Sequence, residues 1–321
     1  MLRRLGSGVA IVVVCALVVT ACASGTPNAT GPSDPAPSHQ ARLTAATCAR
    51  PHRAGQSSQS FTFKGKRRTY LLYVPKSYTG NAKVPLVFNF HGWSSTAAEQ
   101  MALANFGPIA DHNDFLVVAP NGQDRGGRHW SFGNEPGLQN DVAMVRALLQ
   151  RIQGSLCVDG RRVYATGMSD GGAMTSVLAC TSADKLAAFA AVAVVLYCGT
   201  SKGRAVPIQA YAGSKDPVVP TAGGQVNCCG NPTLPSKAST MAKWGTHNGC
   251  KGYSDVMIHP HVLRRTWRNC KPGSATVYFL VKGDGHTWPG GPSLGSLGHA
   301  TKEISASKRM WDFFAAHRLP G

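Results

Sequence analysis

Acidic residues are scarce in this chain of 321 residues. It has 15 Asp and Glu against 33 Lys and Arg, a formal net charge of +18. The only glutamates are Glu99, Glu135 and Glu303. No internal repeat is visible, so a solenoid or propeller is not expected. The basic residues are scattered, and Lys64-Gly65-Lys66-Arg67-Arg68 is the single tight run. No nucleic-acid module accompanies it, so no nucleic-acid partner is expected. The charge reads first as a solvated surface, and second as attraction to anionic envelope polymers or headgroups. The spacing of Cys and His fits no zinc site, and neither metal nor cofactor is expected. The apolar run Val9 to Val19 is too short for a comfortable transmembrane helix.

That run has another use. Arg3 and Arg4 precede it, and Thr20, Ala21, Cys22 and Ala23 follow, the pattern of an export signal over residues 1–22. Val19-Thr20-Ala21-Cys22 reads as a lipobox, leaving Cys22 lipidated and the protein tethered to the outer face of a membrane. Ala21-Cys22-Ala23 also fits the A-x-A pattern of ordinary secretion. Residues 23–56 are rich in Ser, Pro, Ala and Thr and read as a flexible tether. Residues 57–321 are expected to form one domain. The eight Cys beyond the signal read as disulfides of an exported protein. Cys250 with Cys270 and Cys180 with Cys198 are the expected pairs. Adjacent Cys228 and Cys229 are expected to reach different partners.

Apolar strands and amphipathic helices then alternate. Strands are expected at 68–74, 84–90, 115–119, 162–166, 189–196, 208–212 and 277–281. Helices are expected at 140–153, 171–180, 236–247 and 302–317. This alternation implies an α/β fold, with a mostly parallel sheet covered by helices on both faces. In such sheets sites form beyond the carboxyl ends of the strands.

Gly167-Met168-Ser169-Asp170-Gly171 fits G-x-S-x-G. The pattern alone is weak, since Gly291-Pro292-Ser293-Leu294-Gly295 matches it too. Only Ser169 has a strand before it and a helix after it. A turn that tight needs small residues two before and two after the serine, and it lifts Oγ above the sheet. Ser169 is therefore the candidate nucleophile; a capping serine is the plainer reading. Its base should lie further on, and His286 follows the 277–281 strand in the Gly-flanked loop Gly283 to Pro289. The acid that orients the base must be an Asp, because no Glu lies between Ser169 and His286. Asp216, directly after the 208–212 strand, is the candidate, with Asp284 in reserve. Two backbone N–H groups should face the oxyanion, those of Trp93 and Asp170. The Asp170 side chain would sit awkwardly beside that charge, or would point away and serve the helix dipole. Trp93, Trp130 and Trp288 are candidate substrate-binding walls, with core packing the other reading for each.

These motifs resemble the polyhydroxybutyrate depolymerase, feruloyl esterase and acetyl xylan esterase family of secreted α/β-hydrolases. The matching pieces are Tyr73-Val74-Pro75, His91-Gly92, Ala119-Pro120-Asn121-Gly122, Cys157-Val158-Asp159, Gly167 to Gly172, Gly213 to Pro220 and Gly285 to Gly290. The chain looks most similar to LpqC-like esterase lipoproteins. It departs at Trp93, where the family often has Cys, and at Asp170, where it often has Ala or Asn. The resemblance implies a disulfide-stabilised serine esterase of the cell exterior, acting on hydroxyalkanoate oligomers or on feruloyl or acetyl esters, polymeric substrates included. Two other readings stand beside it: a cell-envelope acyltransferase with the same triad, and a non-catalytic binding lipoprotein. No long insertion near the last strands suggests a lid.

Overall fold

A computed structural model describes residues 48–124, 126–132, 136–199 and 203–321. The signal segment, Cys22 and the tether up to residue 47 lie outside the described residues. Ten strands form one sheet: β1 (Gly55–Phe63), β2 (Lys66–Val74), β3 (Val84–Phe90), β4 (Leu116–Pro120), β5 (Val158–Met168), β6 (Ala188–Val192), β7 (Pro207–Gly213), β8 (Tyr253–His259), β9 (Val262–Trp267) and β10 (Ala275–Val281). Their order is β1-β2-β4-β3-β5-β6-β7-β10-β9-β8. The six strands from β4 to β10 run parallel. An antiparallel pair closes each edge, β1 with β2 and β8 with β9.

A parallel strand covered on both faces needs apolar residues in both directions, and every residue of β3 is buried. Leu86, Phe88 and Phe90 face one core, while Val87 faces the other. The first core is roofed by α3 (Asp141–Ser155), α4 (Asp170–Thr181) and α5 (Lys237–His247) through Met144, Met174 and Trp244. The second is roofed by α1 (Ala97–Ala104), α2 (Gly107–Asn113) and α6 (Ala306–Ala315) through Met101, Ala110 and Phe314. Thr96 and Glu99 start α1 with a reciprocal capping box. The mostly parallel sheet with helices on both faces is as expected.

Four disulfides are formed among the described residues. Cys180–Cys198 and Cys250–Cys270 are the two expected pairs. Cys228 and Cys229 bond to each other, contrary to expectation. The positive φ of Cys229, 57°, turns the chain between neighbours and brings their side chains together. Cys48 is thereby left to Cys157. The expected tether, residues 23–56, overlaps this bridge and β1 at its end. Residues 48–56 carry that bridge and the first residues of β1, so ordered structure starts before residue 57.

Candidate active site

Ser169 sits between the end of β5 and the first turn of α4, with φ 57° and ψ −119°. A non-glycine residue held there carries strain of about 1–3 kcal/mol. The surroundings enforce it. Ser169 N–H donates to Val192 O at 2.9 Å, and Ser169 O accepts from Ala173 N–H at 3.0 Å. A Cβ on Gly171 would lie 2.1 Å from Phe90 O, and one on Gly167 would lie 2.5 Å from Gly171 O. The two glycines of the motif are thus required by contact with backbone.

His286 leaves β10 in a loop pinned by its own N–H to Leu297 O, 2.7 Å. Its Nδ1 lies 3.0 and 3.1 Å from the two oxygens of Asp216. Asp216 follows β7 and also accepts from Val218 N–H at 3.0 Å and Val219 N–H at 2.8 Å. Burial pushes this carboxyl up. The bond and charge of His286, the charge of Lys237 and the Val219 N–H outweigh it and hold the group below the ordinary carboxylate range. Asp284, the reserve, turns elsewhere, to His299 Nδ1 and Thr301 N–H, both at 3.0 Å. Ser169 and His286 line one cavity of about 380 Å³, together with Gly92, Trp93 and Met168.

The loop after β3 lies against the serine, since a Cβ on Gly92 would be 3.3 Å from Ser169 Cβ. His91 organises this loop, a role the sequence did not suggest. Gly122 N–H donates to His91 Nε2 at 2.9 Å, which leaves the ring proton on Nδ1. That proton goes to Gly92 O, 2.7 Å away. Burial lowers the His91 pKa to about 4, so the ring stays neutral. Gly92 O and Trp93 N–H belong to one peptide unit, so fixing the carbonyl aims the N–H the opposite way. Among the described residues the Trp93 N–H has no protein acceptor.

The tryptophans divide. Trp93 is 37% exposed, stacks on His129 and lines the cavity at Ser169. Trp130 and Trp288, the other two candidate walls, do not line that cavity. Trp130 is buried against Phe90 and His91, with Nε1 donating to His91 O at 2.8 Å. Its own N–H donates to Asp170 Oδ2 at 2.9 Å, and that bond draws the Asp170 carboxylate toward Trp130. Trp288 is buried beside Phe106 with Nε1 on Ser307 Oγ, 3.0 Å, and borders a different hollow. Both indoles find buried acceptors, which lets the core take them.

Sequence reading also missed a hairpin, Gly224–Gln225 paired with Thr233–Leu234, between Asp216 and α5. Its tip carries Cys228–Cys229, which borders the first cavity and a second, apolar one of about 190 Å³. Val194, Leu196, Val219, Val226 and Leu234 line the second, and Ser169 and Trp93 border both. The hairpin is short, and its four paired residues carry no strand-length pattern to find. Among the described residues no group of three or more His, Cys, Asp and Glu could hold a metal ion. No helix among them is long and apolar enough to cross a membrane.

Feruloyl esterase B of Piromyces equi is 28% identical to this chain over 262 residues, covering 79% of the chain and 46% of that protein. The chain thus spans under half of that relative's length. Feruloyl esterase D of Neurospora crassa is 26% identical over 268 residues, covering 78% of the chain and 82% of that protein. Among solved structures, the acetyl xylan esterase from Aspergillus awamori superposes with a TM-score of 0.58 at 18% identity, covering 81% of this chain and 99% of that one. That similarity is one of fold. The family model for esterase PHB depolymerase matches residues 68–238, more than half of the chain, and takes in both Ser169 and Asp216. On that match, the chain belongs to the esterase PHB depolymerase family.

Proposed function

We propose that this chain is an exported serine hydrolase of carboxylic esters, working through an acyl-enzyme on Ser169. The carrying observation is the buried Asp216–His286 pair opening onto a cavity shared with Ser169. His286 takes the Ser169 proton as Oγ attacks the ester carbonyl. Asp216 holds the imidazole tautomer and balances the cation that forms. The Trp93 and Asp170 N–H groups receive the oxyanion, each worth on the order of 100- to 1000-fold in kcat. The alkoxide leaves with the proton from His286. Water, activated by the same ring, then frees the acid.

The apolar second cavity suits the acyl part of the ester, and Trp93 offers it an aromatic face. Feruloyl or acetyl esters and hydroxyalkanoate oligomers are the substrate classes that the relatives and the family bring forward. Export through residues 1–22, with a lipid on Cys22 tethering the domain to a membrane, belongs to the same reading. The four disulfides support an oxidising compartment. The test is an ester panel (p-nitrophenyl acetate, methyl ferulate, acetylated xylan and a 3-hydroxybutyrate oligomer) run beside Ser169→Ala. Loss of turnover on the order of 10⁴-fold or more is expected in the variant. Equal turnover by both proteins would remove Ser169 from the chemistry.

A further inference from the structure

One buried cation has no part in the steps above. Lys237 is 3% exposed, and its Nζ lies 3.2 Å from Asp216 Oδ2, 2.6 Å from Val219 O and 3.1 Å from Thr221 Oγ1. Three acceptors match the three N–H bonds of an ammonium, whereas a neutral amine has only two to give. Thr221 is itself committed, because its hydroxyl donates to Gly213 O at 2.6 Å and so offers Lys237 a lone pair. The residue opens α5, where a cation opposes the helix dipole. Local helix energetics therefore do not account for a lysine at this position. The carboxylate it meets does.

Asp216 stands between two partners. His286 Nδ1 holds both oxygens from the cavity side, and Lys237 approaches Oδ2 from α5. The loop after β7 brings Asp216, the loop after β10 brings His286, and α5 brings Lys237. The other charged groups nearby turn away: Asp284 faces His299, and Lys215 is exposed.

Building on the hydrolase reading, we propose that Lys237 is a positioning residue for Asp216, and that its ammonium gives the resting triad a neutral buried charge set. With Lys237 at +1, Asp216 at −1 and His286 unprotonated, the sum is zero. A proton on His286 then creates a net buried charge, which is costly. In a site without the lysine, the same proton would create a neutral ion pair. Lys237 thus disfavours idle protonation of the base, and keeps it available as the medium turns acidic. It also fixes the carboxylate rotamer that presents both oxygens to Nδ1.

The test compares kcat/KM against pH for the wild type, Lys237→Met and Lys237→Arg, on whichever ester of the panel is turned over. In K237M the acidic limb should move up by about one pH unit. In K237R, which keeps a cation, it should stay near the wild type. A K237M enzyme with a lower plateau and an unmoved limb would overturn the proposal, since a merely structural lysine predicts that result. Lysine-selective ¹⁵N NMR of the wild-type protein covers the case in which K237M does not fold. It should detect one solvent-protected ammonium at neutral pH, and a neutral amine there would overturn the proposal. Absence of turnover on every ester strikes the hydrolase reading itself, whereas an unmoved limb in an active enzyme strikes only the role of Lys237.

Discussion

Two Asp–His pairs lie a short way apart along the chain, and their hydrogen bonds are equally long. His286 meets Asp216 at 3.0 Å, and His299 meets Asp284 at 3.0 Å. The His286 side chain is 5% exposed, and that of His299 is 66% exposed. Asp216 is held below the ordinary carboxylate range because His286, Lys237 and a backbone N–H overcome burial. Asp284 is pushed above it because burial outweighs the Thr301 N–H and an exposed histidine. Equal distance therefore does not make the two pairs equivalent. The second partner of the carboxylate and the cover over the imidazole set them apart.

The comparison can be broken or sharpened by substitution. Asp216→Asn should cost on the order of 10⁴-fold in kcat, because an amide no longer selects the working tautomer. Asp284→Asn should leave kcat within about tenfold of the wild type. Its cost, about 1–3 kcal/mol, should appear instead in denaturant unfolding, as the 299–301 segment loses an acceptor. If D284N matched D216N in lost activity, the two pairs would be equivalent and the distinction would fail.

Stability against pH should separate the pairs by sign. The lowered pKa of Asp216 contributes stability that is present above the unfolded-state value and is lost as pH falls through the folded value. The raised pKa of Asp284 does the reverse, so its contribution is greatest in acid and is lost as pH rises through the folded value. Unfolding of wild type, D216N and D284N across the acid range checks both signs. The advantage of wild type over D216N should shrink on acidification, and the advantage over D284N should grow. Smallest of all, His299→Ala should change stability by less than about 0.5 kcal/mol, since an exposed partner is well screened. A large loss of activity in H299A would mean that the outer pair reaches the chemistry.

The parts of the fold that carry strong local signals were legible in the sequence. The unbroken run in β3 and the glycines around Ser169 each have one physical explanation, and both hold. The order of serine, aspartate and histidine along the chain also led to residues that the sheet gathers at one edge. Legibility failed where a partner decides the outcome. The Ser- and Gln-rich strand β1 has too weak an apolar pattern to be assigned from sequence, yet it is an edge strand half exposed beside β2. Strand β8 is largely exposed and β9 beside it is half-buried, and their weak apolar pattern left both unassigned. Trp130 and Trp288 are core residues because His91 O and Ser307 Oγ accept from their indoles, and no spacing rule reveals those acceptors. Lys237 left one faint trace, a cation at the wrong end of a helix.

The bridge from Cys48 to Cys157 joins positions 109 residues apart. Its far end lies just before β5, the strand that feeds Ser169. A protease that nicked the chain once anywhere within that span would produce two fragments still joined by one covalent bond. The nicked protein would migrate as a single species without reductant and as two bands with it. The fragment carrying the β3 loop would stay leashed to the fragment carrying the serine, provided the cut fell beyond that loop. Damage of that kind would go unseen in any assay of size that leaves sulfur–sulfur bonds intact.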